Sequence, residues 1–165
     1  MKKNEIWFAR KHADAKIPSK RDEDAGYDIY PAFDEPYIKI LPHETVKIPT
    51  GLHSAFSNKY VMILKERGST GTKGIGQRCG IIDSGYRGEW LVPITNHNDI
   101  PLYIIKEGVS VVDLEKDVIA YPYDKAIAQA ICVKVPNMEI KEKFYEEVCA
   151  VDSQRKDGKL GSSGK

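Results

Sequence analysis

The sequence predicts an all-β domain built as a barrel or a double-sheet jelly roll, and three observations carry that expectation. Short apolar runs rich in Ile, Val, Tyr and Thr recur along the chain, many alternating with polar residues. Gly, Pro, Asn and Asp clusters separate them. Almost no segment carries a helical period, which leaves sheet packed on sheet as the way to bury the apolar faces. At 165 residues the chain is long enough for one domain with its own core, and it shows no internal repeat.

Taken in order, residues 6–9 form a short apolar strand, followed by a charged, Pro-marked loop over 16–24. Residues 25–30 alternate, with Tyr27 and Ile29 on one side and Asp28 and Tyr30 on the other. Pro31, Pro36 and Pro42 punctuate strands at 37–41 and 45–49, and a turn at Thr50-Gly51 leads into another strand ending at Phe56. Residues 60–65 make the strongest buried strand of the first half and run into a polar Gly-rich loop over 66–74. Residues 80–90 read as a hairpin: Ile81-Ile82, a turn at Asp83-Ser84-Gly85, and a second arm resuming at Trp90. Strands follow at 91–96, 101–105 and 127–135, the last ended by Pro136, while 108–118 is mixed. Residues 136–148 hold the one short helix expected. Residues 152–165 have little apolar content and are expected to form a flexible arm.

Composition narrows the function classes. The formal net charge is +1, so any positive site is local, and neither nucleic acid nor a membrane surface is an expected partner. Cys79, Cys132 and Cys149 have no metal-ligand spacing and read as buried free thiols of a reducing compartment. The N-terminus lacks the apolar stretch of a signal peptide and no run is long enough to span a bilayer, so a cytoplasmic protein is expected.

Several stretches carry chemistry. Arg67, Ser69, Thr70 and Thr72 lie among Gly68, Gly71 and Gly74. That mix lets backbone approach a ligand while hydroxyls, amides and a guanidinium bind phosphate oxygens; an ordinary hairpin loop has the same composition. No Walker A pattern is present. Gln129 sits inside a well-patterned strand, either aimed into a site or on the solvent face. Asp28 either orders water around a metal or is a charge on a strand face. Asp83 and Tyr86 flank the 80–90 bend, where Asp and Gly also serve any surface turn. His12, His43, His53 and His97 are scattered and form no ligand cluster.

In this order, five stretches together resemble the homotrimeric dUTP pyrophosphatase (dUTPase) family: Ala25-Gly26-Tyr27-Asp28-Ile29; Arg67-Gly68-Ser69; the run from Gly80 to Gly88; Ile127-Ala128-Gln129; and Arg155 through Gly164. The resemblance implies a jelly-roll-like (β-clip) barrel over 1–150 and an arm over 151–165 that closes the active site. It implies a homotrimer with active sites shared between subunits, and hydrolysis of dUTP to dUMP and pyrophosphate with Mg²⁺. By the same resemblance, Asp83 is the base that activates the attacking water. Gly80 and Ile82 frame the backbone that reads uracil, and Tyr86 packs against deoxyribose. Arg67, Gly68, Ser69 and Gln129 meet phosphates, Asp28 orders the metal through water, and Arg155, Leu160, Gly161, Ser162 and Ser163 close over the triphosphate. The chain departs from the family pattern at Gly68, where Ser is common, at Ala126, where Arg is common, and at Leu160, where an aromatic is common. Residues 98–124 are longer than the compact pattern. Two alternatives stay open beside the hydrolase: a dCTP deaminase-like enzyme, disfavoured by Pro93 where that chemistry needs a carboxylate, and a non-catalytic nucleotide-binding regulatory protein of the same fold.

Overall fold

The computed structural model describes residues 5–110 and 115–154. The chain divides into two compact units, Met1–Val135 and Pro136–Lys165.

The first unit carries the strands β1 (Ile6–Arg10), β2 (Gly26–Ile29), β3 (Tyr37–Ile40), β4 (Thr45–Pro49), β5 (Leu52–Phe56), β6 (Tyr60–Lys65), β7 (Ile75–Gln77), β8 (Ile81–Ile82), β9 (Leu91–Asn96), β10 (Leu102–Ile105), β11 (Ile119–Pro122) and β12 (Ala128–Lys134). They assemble into four small sheets, β1-β5, β11-β10-β3, β2-β12-β6-β8 and β4-β9-β7. All pairs are antiparallel except β10 with β11. This is the all-β, jelly-roll-like architecture expected. Two strands escape sequence reading. β7 has three residues, Ile-Gly-Gln, too few to show a period, and β11 lies in the stretch after 108–118.

Alternation places the core. In β5, Leu52, Ser54 and Phe56 are buried, while in β9 Val92 and Ile94 are. With Ile29, Ile48 and Leu64 they form one continuous cluster around Trp90, which is fully buried. Complete burial of an aliphatic side chain of this size contributes about 1.5–3 kcal/mol. The Trp90 ring meets Phe8 edge-on at 5.2 Å, and its indole Nε1–H donates to Ser54 Oγ at 3.0 Å. Asn96 and Thr50, both buried, are likewise paired: Asn96 Nδ2 donates to Ile40 O and Ile100 O, and Thr50 Oγ1 donates to Trp90 O.

The 80–90 stretch differs from a hairpin. Its first arm, β8, pairs with β6, whereas the run beyond Trp90 becomes β9 and pairs with β4 and β7 in another sheet. The Asp-Ser-Gly turn is real, closed by Tyr86 N–H donating to Asp83 O at 3.0 Å. The polar Gly-rich loop also holds a surprise: Gly68–Gly71 forms one turn of helix, α1, secured by Arg67 N–H donating to Thr70 Oγ1 at 3.1 Å.

In the second unit residues 136–144 have no regular structure, and the expected helix is confined to α2 (Tyr145–Cys149). Phe144 N–H donates to Glu147 Oε2 and Lys143 pairs with Glu147 at 3.0 Å. The Phe144 bond, then the Lys143 bond, holds the Glu147 carboxyl below its ordinary pKa. Met138, Ile140, Phe144, Tyr145, Val148 and Val151 are all exposed, so the described residues of this unit, 136–154, form no apolar core of their own.

The cysteines correct another expectation. All three are free but exposed. Cys79 sits in a loop at φ 58°, Cys132 in the outer half of β12, and Cys149 ends α2.

Candidate active site

Sheet register builds the first half of the site. Asp28 on β2 lies opposite Gln129 on β12, and Gln129 lies opposite Lys65 at the end of β6. Because Ala128 and Ala130 take the core face, Gln129 points away from it. Its amide donates to Glu66 O at 2.7 Å. Gly26 makes room for that side chain, since a Cβ there would collide with Gln129 Oε1.

As β6 ends, the chain turns Arg67 back over β2. Arg67 Nε pairs with Asp28 Oδ1 at 3.0 Å, and Nη1 donates to Ala126 O at 3.2 Å and Ser69 Oγ at 3.4 Å. Both Arg67 and Asp28 keep about a third of their side-chain surface exposed. Together with Gly68, Ser69, Gly26 and Gln129 they line an open, polar pocket of about 900 Å³.

The opposite wall of this pocket was not singled out in the sequence. It is the 16–24 loop, contributing Ser19, Lys20, Arg21, Glu23 and Asp24. Asp28 N–H donates to Ser19 O at 2.9 Å, which fastens the loop to β2. Arg21 and Asp24 pair at 2.8 Å, and that bond holds the Asp24 carboxyl below its ordinary pKa. The signal was present: six of the nine residues in 16–24 are charged, directly ahead of Ala25-Gly26-Tyr27-Asp28. Ala126 is buried and its carbonyl accepts from both Arg67 and Tyr121, while Lys125 is not part of the pocket wall. Among the described residues, the cations of this pocket are therefore Arg67, Lys20 and Arg21.

Gly80, Ile82, Asp83 and Tyr86 line a second pocket, of about 190 Å³, with Leu64, Cys79, Ile81, Glu89, Leu91 and Pro93. Gly80 holds φ 122°, and a Cβ there would lie 2.6 Å from Leu64 O, so the backbone passes close enough that only glycine fits. Asp83 is exposed at the turn. The Tyr86 ring covers Gly88, and its hydroxyl donates to Glu89 O at 3.0 Å. The Glu89 carboxylate accepts backbone N–H bonds from Thr50 (3.1 Å) and Gly51 (2.7 Å).

The described site residues expected from sequence thus fall into two groups, and no described residue lines both pockets. Arg155, Leu160, Gly161, Ser162 and Ser163 lie outside the described residues. Among the described residues no three His, Cys, Asp or Glu side chains converge as a metal cage. Mg²⁺ takes one or two carboxylates plus waters and substrate phosphates, a donor set that Asp28, with Asp24 lining the same pocket, fits. No helix among these residues is long and apolar enough to cross a membrane.

The chain is similar to known proteins over most of its length. A deoxyuridine 5'-triphosphate nucleotidohydrolase of Gloeobacter violaceus is 30% identical over 144 residues, 86% of this chain and 83% of that protein. One from Wolbachia pipientis subsp. Culex pipiens is 34% identical over 146 residues, 87% of this chain and 82% of that protein. Among solved structures, a Staphylococcus bacteriophage 80alpha dUTPase with dUpNHpp superposes with a TM-score of 0.73 at 24% identity, covering 98% of this chain and 99% of that one. The EIAV dUTPase superposes at 0.62, covering 86% and 98% at 23% identity. These two show a shared fold. The dUTPase family model matches residues 13–108, a span that contains both pocket-forming loops and the whole 80–90 turn, and this chain belongs to the dUTPase family.

Proposed function

We propose that the protein hydrolyses dUTP to dUMP and pyrophosphate. The observation that carries this reading is the division of labour between the pockets. One brings a carboxylate (Asp83) and an aromatic ring (Tyr86) to a narrow cleft, and the other gathers Arg67, Ser69, Gln129 and the Lys20–Arg21 pair as a phosphate cradle.

The chemistry follows from those groups. Asp83 accepts a proton from water as the water oxygen attacks the α-phosphorus. The new P–O bond forms as the bond to the bridging α–β oxygen breaks, and pyrophosphate leaves. Arg67, the Ser69 hydroxyl and the Gln129 amide take up the charge that develops on it. Asp28 would hold Mg²⁺ through water, and the ion would supply neutralisation of part of the phosphate charge. Tyr86 packs on the sugar face where a 2′-hydroxyl would stand, and the backbone at Gly80 and Ile82 reads the uracil edge. Pro93 in the pocket wall, and the engagement of Glu89 by Thr50 and Gly51, argue against deamination of a cytosine base.

Two further points belong to this reading. Because no described residue lines both pockets, a substrate that uses both is best completed between copies of the chain, and the exposed apolar residues of 136–151 are suited to association; both support a homotrimer. The arm over 151–165, with Arg155, Leu160, Gly161, Ser162 and Ser163, closes over the triphosphate and excludes bulk water. The decisive assay is pyrophosphate release with Mg²⁺: fast from dUTP, and much slower from dCTP, dTTP and UTP. Ammonia from dCTP would establish the deaminase instead.

A further inference from the structure

The turn that presents Asp83 and Tyr86 has little packing of its own. An added Cβ at Gly85 would meet nothing within 4 Å, Asp83 is exposed, and Tyr86 is 43% exposed. Its geometry therefore depends on hydrogen bonds.

Those bonds converge on one side chain. Arg87 Nη1 donates to Ser84 O at 2.7 Å, to Tyr86 O at 3.1 Å and to Ser54 O at 3.3 Å. The first two carbonyls belong to the turn, and the third to β5, which is held in the core by Leu52 and Phe56. The backbone of Arg87 is tied to the same strand. Its carbonyl lies 3.0 Å from His53 Nδ1. A carbonyl can only accept, so Nδ1 is the donor of this bond, and His53 Nε2 is buried without a partner. Beyond Arg87, the Glu89 carboxylate grips Thr50 and Gly51, and Trp90 N–H donates to Leu52 O at 2.8 Å. The far end of the turn is thus clamped to β5 at 87 and 90 and to the Thr50-Gly51 turn ahead of β5 at 89, and the Arg87 guanidinium carries that rigidity back across Ser84 and Tyr86 towards Asp83.

We infer that Arg87 is a positioning residue: by binding the Ser84, Tyr86 and Ser54 carbonyls it sets the placement of Asp83 against the attacking water and of Tyr86 against the sugar. This rests on the proposed hydrolysis of dUTP. The guanidinium acts through backbone carbonyls of the turn, so its contribution appears in sugar discrimination as well as in rate. A direct phosphate contact would not have that signature, because dUTP and UTP carry the same triphosphate and such a contact cancels in their ratio.

The test compares kcat and kcat/KM for dUTP and UTP in the full chain and in Arg87→Ala, with Lys39→Ala as a control that breaks the Lys39–Glu115 ion pair in the β11-β10-β3 sheet. Misplacement on the ångström scale costs on the order of 10²-fold in rate. Arg87→Ala is expected to lose turnover of that order, and its preference for dUTP over UTP is expected to fall by about tenfold or more. Lys39→Ala loses thermal stability and keeps the preference. Should Arg87→Ala fail to fold, Arg87→Gln serves: its shorter amide cannot span from the turn to Ser54 O, and the preference must again fall. A folded Arg87→Ala or Arg87→Gln protein with an unchanged preference and kcat overturns the inference. A wild-type protein that releases no pyrophosphate from dUTP overturns the proposed function instead.

Discussion

The Tyr86 ring lies across Gly88, close enough that a Cβ at position 88 would occupy the space of the phenol, while the hydroxyl donates to Glu89 O at 3.0 Å. The glycine therefore leaves room for the ring that lines the pocket. Gly88→Ala is expected to fold, because the ring can swing outward from an exposed turn, and to lose discrimination against UTP. The ratio of kcat/KM values for dUTP and UTP checks this, and a ratio equal to wild type would show that the ring does not guard the sugar.

Asp83→Asn preserves shape and removes the base. General-base catalysis contributes about 10²–10⁴-fold, so turnover of dUTP is expected to fall within that range while binding persists. Single-turnover kinetics and calorimetry with a non-hydrolysable analogue separate the two. Near-normal turnover would assign the base elsewhere.

Ser54→Ala probes the core behind the same turn. It strips the acceptor from the buried Trp90 indole N–H. A buried donor left unpaired costs about 1–3 kcal/mol. Urea unfolding is expected to show a lower midpoint with an unchanged slope.

Tyr123 predicts an alkaline transition. Burial, above all, pushes its phenol up to about 12, although Phe33 N–H donating to its oxygen works the other way; its hydroxyl donates to Asp14 Oδ2 at 2.9 Å. The same bond holds the Asp14 carboxyl below its ordinary pKa. Because the folded-state value is raised, the contribution of Tyr123 is fully present below about pH 10 and is lost as pH rises from there towards 12. Tyrosinate absorbance against pH in wild type and Tyr123→Phe measures it. The substitution should remove the highest-titrating component and flatten the loss of stability in that window.

Removing residues 155–165 is expected to cripple turnover and leave the β-unit intact, as read by pyrophosphate release and circular dichroism. Full activity of the truncated chain would dismiss the closing arm.

Much of the site was legible because its parts are local. The Asp-Ser-Gly turn, the alternation that exposes Gln129, and the mix of Arg, hydroxyls and glycines at 67–74 are each written within a few residues. What failed to show locally was pairing. Residues 80–90 carry the chemistry of a hairpin, yet Leu91–Asn96 finds its partners in Thr45–Pro49 and Ile75–Gln77, far along the chain, and so leaves Ile81–Ile82 for another sheet. The Lys20–Arg21 wall has no local signature of a pocket, because loop charge is ordinarily solvated surface and it is the Ser19–Asp28 bridge that fastens the loop to β2.

By itself, the sequence determined that this chain folds as short strands in an all-β unit, and which residue types stand at its turns, because alternation and turn chemistry act over neighbouring residues. The tertiary structure alone decided that Asp28, Arg67 and Gln129 share one pocket while Asp83 and Tyr86 share another. It also decided that Arg87 braces the turn between Tyr86 and Ser54. These are matters of strand register and of hydrogen bonds between segments distant in sequence, and no local pattern encodes which strand a given edge will find.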